Sequence, residues 1–230
     1  MGLQERWDST KLDVANICSD CGRDPEEVRI IAVSKTVDPP VIAEALACGM
    51  RDFGENRDKP FNEKRSAYPD ANWHFIGHLQ SNKAKQVVGR AHLIHSLDRP
   101  SLLLAIEKEA AKLDIIQDVL VEVSVSGEES KAGIAPDELD AFLEQVCMCA
   151  HVHCKGLMTM APQGDLSVAQ NTFEGLRNLA NIMGKTYGER DNICMSELSM
   201  GMSEDYRVAI EEGATMVRIG RRIFSDNFKA

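Results

Sequence analysis

The chain has 230 residues, 43% of them hydrophobic and 27% charged, with a formal net charge of -10 at neutral pH. That is enough apolar material for one large core, and it excludes an intrinsically disordered chain. The negative charge opposes non-specific binding to nucleic acid or to anionic membrane, both negative themselves, and leaves small-molecule chemistry as the leading expectation.

In chain order, an amphipathic segment over residues 3–21 predicts an opening helix. Eight apolar, β-branched-rich runs then read as strands: 29–35, 52–56, 73–77, 92–98, 118–125, 153–160, 193–201 and 216–224. Between them lie helical-period segments such as "PPVIAEALACG", "RPSLLLAIEKEAAKL", "PDELDAFLEQVCMCA", "VAQNTFEGLRNLANIMG" and "SEDYRVAIEEG", several opening on Pro, Ser or Asp. Alternating strands and helices predict an α/β fold: a single (β/α)8 TIM barrel over residues 1–230, with an extra N-terminal helix (1–22) packed on it. A doubly wound sheet is the alternative, disfavoured because no Gly-x-Gly-x-x-Gly or Gly-x-x-x-x-Gly-Lys opens the first strand-to-helix turn.

No stretch approaches the roughly 18 apolar residues of a membrane span, and the amino terminus lacks a basic-then-apolar leader, so a cytoplasmic location is expected. Seven cysteines without a leader are expected as reduced thiols. Cys18-x-x-Cys21 ends the first helix and has no second such pair, which disfavours a metal or redox role.

"RIIAVSKTV", residues 29–37, carries a lysine at its end. Strand alternation puts Lys35 on the face of Ile31 and Val33, toward the barrel interior, where an ammonium is costly. Lys35 therefore either snorkels at the rim or is used chemically. Barrels of this type carry their sites at the carboxyl ends of the strands, with phosphate held after strands seven and eight. Asn56 ends the second run, "SMGMS" (199–203) ends the seventh and "RIGR" (218–221) falls in the eighth. Gly201 and Gly220 let backbone N–H groups approach an anion, and Ser203 either caps the next helix or offers its hydroxyl there. Arg218 points inward at the same rim and needs a partner: an interior carboxylate such as Glu55 or Glu197, or a ligand. Asn56 alone reads as a turn residue. His74 and His78, four apart in a strand running into a loop, do not converge as two histidines on a helix face do, so no metal is expected. Met158, Met160, Met195, Met200 and Met202 read as core packing near a rim.

The segments "AVSKTV", "FGEN", "WHFIGHLQSNKAK", "IHSLD", "VSGEESKAG", "KGLMTM" and "LSMGMSEDYRVAIEEGATMVRIG" follow one another across nearly the whole chain. Together they resemble the YggS/PROSC family of pyridoxal phosphate homeostasis proteins. The resemblance implies a barrel like the N-terminal domain of alanine racemase, carrying pyridoxal 5'-phosphate (PLP) as a Schiff base on Lys35. It implies Asn56 beside the pyridine ring, Arg218 facing the pyridine nitrogen, and Ser199, Ser203, Gly220 and Arg221 gathering the phosphate. It further implies a protein that buffers PLP or delivers it to PLP-dependent apoenzymes without vigorous turnover; a monomer is expected, although the sequence itself does not fix the oligomeric state. The alternatives are a weakly active PLP-dependent racemase or lyase and a cofactor-free phosphosugar enzyme.

On this reading an imine removes the awkward ammonium charge of Lys35. A guanidinium beside the pyridine nitrogen opposes its protonation, so carbanion chemistry is expected to be weak. The racemases that share the barrel draw one base from a second domain, and a chain ending soon after its eighth strand is expected to lack half of that apparatus. Four positions depart from the family pattern: Arg221 in place of a small hydroxyl residue, Ser225 in place of Gly, Arg57 in place of an aromatic and Ser124 in place of Asn.

Overall fold

All eight runs form strands in a computed structural model of the chain, which describes residues 1–127, 132–188 and 190–226. They are β1 (Arg29–Val33), β2 (Asp52–Glu55), β3 (Asn72–Phe75), β4 (Leu93–Leu97), β5 (Gln117–Glu122), β6 (Val152–Met158), β7 (Ile193–Met202) and β8 (Met216–Ile219). Each pairs in parallel with the next and β8 pairs back with β1, closing the barrel. Parallel neighbours need crossovers. These are α2 (Pro39–Ala47), α3 (Asp58–Ala67), α4 (Pro100–Leu113), α5 (Leu139–Cys147), α6 (Leu166–Tyr187) and α7 (Tyr206–Glu211), with a 3-10 segment Ser81–Gln86 between β3 and β4. The expected front helix is α1 (Leu3–Asp20), which packs on α7 and on the short α8 (Arg221–Phe224). Arg6 Nε ties it down by donating to the Ile223 carbonyl at 2.7 Å.

Strand alternation sorts the core into two compartments. Inside the barrel, Ile31, Leu93, Leu120, Met158 and Met216 form a small apolar cluster. Outside, Phe53 stacks on Trp73 with ring centroids 5.3 Å apart, and Phe61 of α3 meets Phe75 edge-on at 5.7 Å. All four rings are almost fully buried, each contributing about 1.5–3 kcal/mol in the usual area accounting.

Several expectations are corrected at the strand ends. β1 stops at Val33, because Ser34 makes the last ladder bond to Gly54 (3.0 Å) and the chain then turns through a Val37 N–H to Ser34 carbonyl bond. Lys35 thus lies two residues beyond the strand and is exposed at the rim. β8 stops at Ile219 instead of running to 224, since the Gly220 carbonyl accepts from the N–H groups of Ile223 and Phe224 and starts α8. β5 and β6 end two or three residues early. The helix α3 was not among the segments read from the sequence, because Phe61 is its one large apolar residue. Of "VSGEESKAG", residues 128–131 lie outside the described residues.

Candidate functional site

At the carboxyl-terminal mouth of the barrel lies a cavity of about 390 Å³ whose wall includes Lys35, Asn56, Glu122, Ser203, Arg218, Gly220 and Arg221. That volume is in the range of small-molecule sites. Six of the seven residues singled out from the sequence therefore converge. Glycines make the convergence steric: a Cβ on Gly220 would come within 3.1 Å of the Val33 carbonyl, and one on Gly77 within 2.3 Å of the Asn56 carbonyl. Only a bare backbone lets the loop after β3 approach Asn56 this closely, and at Gly220 a Cβ would be tight against the end of β1.

Ser199 is the exception. It is fully buried, absent from the cavity wall, and sits beneath Arg218, whose Nη1 donates to its Oγ at 2.6 Å. Arg218 Nη2 donates to the Thr159 carbonyl at 2.9 Å. The expected carboxylate partners are engaged elsewhere: Glu55 pairs with Lys64 at 2.6 Å, and Glu197 accepts from Thr215 at 2.6 Å. Burial pulls the guanidinium down to about 10, while the charges of Asp205 and Glu122 hold it up. It remains a cation at neutral pH, with N–H groups beyond the two bonded ones left for the cavity.

Ser203 does not cap α7, a position taken by Asp205. Its Oγ instead accepts from the Gly220 N–H at 3.3 Å on the cavity wall. Arg221 reaches Glu204 at 2.9 Å, both side chains about half exposed. Met160 and Met202 line the cavity, while Met158 and Met200 are core. The two histidines weighed as a zinc pair part company: His74 is fully buried, and exposed His78 bonds Asp98 at 2.9 Å. No group of three metal-binding side chains occurs among the described residues. All seven cysteines are free, and burial pushes the Cys18 thiol up, away from the thiolate a redox pair needs.

Sequence reasoning passed over Glu122. It closes β5 on the cavity wall, is 4% exposed, and its carboxyl makes no hydrogen bond among the described residues. Burial, with Asp98 adding like charge and Arg218 opposing, pushes it from 4.5 up to about 7. An acidic residue at the C-terminal end of a barrel strand, directly after the apolar run Val119–Val121, was the available signal. A raised carboxyl favours the fold while protonated, and that contribution is lost as pH rises from 4.5 through 7. Glu122→Gln is therefore expected to flatten the fall in stability between pH 5 and 8. At pH 8 the variant should be more stable by roughly 2–3 kcal/mol in denaturant titrations. Parallel wild-type and variant pH profiles would refute this.

Residues 17–227 match the family model described as "Alanine racemase, N-terminal domain". The chain is 42% identical over 229 residues to the pyridoxal phosphate homeostasis protein of Aquifex aeolicus, covering 98% of this chain and 99% of that one. Among solved structures it resembles PipY of Synechococcus elongatus PCC7942, determined without PLP (TM-score 0.86, 34% identity, 97% of this chain and all of that one). The PipY structure with PLP bound superposes with a TM-score of 0.84 at 33% identity, again over 97% of this chain and all of that one. By its length-wide similarity the chain belongs to the alanine racemase N-terminal domain family and, within it, to the pyridoxal phosphate homeostasis proteins.

Proposed function

We propose that this protein binds PLP in the mouth of its barrel, held covalently on Lys35, and serves to buffer the cofactor and release it to PLP-dependent apoenzymes. The observation that carries the reading is the single cavity in which one lysine amine, a buried guanidinium, and Ser203, Gly220 and Arg221 of the last two strand ends come together. That donor set suits a molecule with an aldehyde at one end and a phosphate at the other. The exposed Lys35 amine is open to an incoming aldehyde, with which it condenses, releasing one water. Ser203, Gly220 and Arg221 supply a hydroxyl, a backbone N–H and a charge for the phosphate, and Asn56 lines the same cavity. When bound, PLP would supply an electron sink for amine chemistry, and Arg218, were it to face the ring nitrogen, would limit that sink by disfavouring protonation there. This favours storage over turnover.

Freshly isolated protein, or protein incubated with the vitamer, is expected to be yellow. Borohydride reduction followed by peptide mass analysis should place a phosphopyridoxyl group on Lys35. Colourless protein after incubation with excess PLP would overturn the proposal.

Arg221 gives this chain an anion contact of its own. Its partner Glu204 is half exposed, so the pair is weak and a phosphate dianion competes for the guanidinium. Arg221→Thr is expected to weaken PLP binding about threefold to tenfold at low salt and to reduce its salt dependence. Equal affinities at both ionic strengths would remove Arg221 from the phosphate site.

A further inference from the structure

Beneath Arg218 four hydrogen bonds run in series through the inside of the barrel. Arg218 Nη1 meets Ser199 Oγ at 2.6 Å, and Ser199 Oγ meets His95 Nδ1 at 2.9 Å. His95 Nε2 meets His74 Nδ1 at 2.9 Å, and His74 Nε2 meets Asp52 Oδ1 at 3.1 Å. Ser199 and both histidines are fully buried, while Asp52 opens β2 at the mouth opposite the cavity and is partly exposed.

The order of donors is forced from the Asp52 end. An ionised carboxylate only accepts, so His74 donates to it from Nε2 and is left to accept at Nδ1. A neutral imidazole has one N–H, so His95 donates from Nε2 to His74 Nδ1 and accepts at Nδ1 from Ser199, which itself accepts from the Arg218 guanidinium. The reverse order would set two lone pairs against each other at Asp52. Charge favours the same assignment. Burial holds both histidines below their ordinary value, His95 well below it with help from His74 and Arg218. At Asp52, burial is outweighed by the His74 and Asn72 hydrogen bonds, which keep the carboxyl low.

We infer that Asp52, His74, His95 and Ser199 form one polarised chain from anion to cation along the barrel interior, and that Asp52 is a positioning residue for Arg218 at the opposite mouth. Fixing both histidines as Nε2–H tautomers commits the Ser199 proton to His95 Nδ1 and so turns the hydroxyl lone pairs toward Nη1, which holds the guanidinium in one orientation toward the cavity. The binding consequence rests on the PLP reading; the tautomers do not.

The first arm of the test is therefore nitrogen-15 NMR of the cofactor-free protein. Wild type should show His74 and His95 as neutral Nε2–H tautomers from pH 6 to 8. Asp52→Leu removes the terminal acceptor, and an Nδ1–H population should appear at His95, two residues along the chain. Asp52→Asn keeps an acceptor oxygen and should restore the wild-type pattern. In the second arm, Asp52→Leu is expected to bind PLP about threefold to tenfold more weakly, the scale of one lost hydrogen bond, with the Lys35 linkage still trapped by borohydride. A wild-type His95 that is Nδ1–H or charged overturns the inference even if no variant folds. So does an unchanged His95 in Asp52→Leu. Failure of the PLP reading instead leaves the first arm intact and abolishes binding in every variant.

Discussion

Replacing Lys64 by methionine is expected to cost the fold about 3–5 kcal/mol and to lower the melting temperature by roughly 6–20 °C. Lys64 lies on α3 with its Nζ 2.6 Å from Glu55 Oε1 and 2.7 Å from the Ser34 carbonyl. Ser34 Oγ completes the cluster by donating to the same carboxylate oxygen at 2.7 Å. Glu55 is 0% exposed and Lys64 5%, so the pair is screened little by solvent or salt. Removing only the cation strands a carboxylate whose other oxygen, Oε2, already lacks a hydrogen bond among the described residues. An uncompensated buried charge is among the largest single-residue penalties known. Converting the partner as well, in Lys64→Met with Glu55→Gln, should recover most of the loss because the buried charge disappears with its cause. A single variant within 1 kcal/mol of wild type would show that the cluster is solvated in solution. The cluster also joins the ends of β1 and β2 to α3 at the residue preceding Lys35, so its loss is expected to slow PLP loading as well as lower stability.

The contrast between Lys35 and Lys64 shows where the sequence was readable. Eight β-branched runs alternating with helical-period segments are a dense signal, and the barrel follows from it together with the rule that parallel strands need crossovers. The rim residues Lys35, Asn56, Ser203, Arg218 and Gly220 were legible because strand ends sit at the active mouth of such a barrel. The end of β1 was placed at Lys35, two residues late, because alternation was carried past the last ladder bond, where the backbone turns and period two no longer applies. Lys64 was invisible for a related reason. Its segment "DKPFNEKRSA" is polar, and only the tertiary placement of Glu55 turns one of its lysines into a core residue. The interior chain was equally hidden. Asp52, His74, His95 and Ser199 sit on four different strands, and strand register, with Gly54 opposite His74 and His74 opposite Leu93, decides which polar side chains meet.

Lys35→Ala is expected to abolish the borohydride-trapped phosphopyridoxyl peptide and the yellow colour outright, while leaving stability within about 0.5 kcal/mol of wild type. The two halves of this expectation come from the same fact. Lys35 is the one lysine among the described residues lining the cavity, so among those residues it alone offers an amine to the aldehyde. It is also exposed and beyond the last strand bond, so truncating it removes no buried contact. Non-covalent binding through Arg218, Ser203, Gly220 and Arg221 should persist in the variant, weaker and more sensitive to salt than in wild type, because charge-assisted contacts to phosphate then carry the affinity. Equilibrium dialysis of PLP against Lys35→Ala at low and high ionic strength reads this directly. A trapped adduct on another lysine would move the covalent site, and a variant as unstable as Lys64→Met would mean that Lys35 is a structural residue after all. If colour vanishes, stability holds and salt-sensitive binding remains, attachment and recognition are separable: one amine forms the bond, and the ends of β7 and β8 recognise the phosphate. A carrier needs that division, since the bond to Lys35 must open for release while the phosphate is still held.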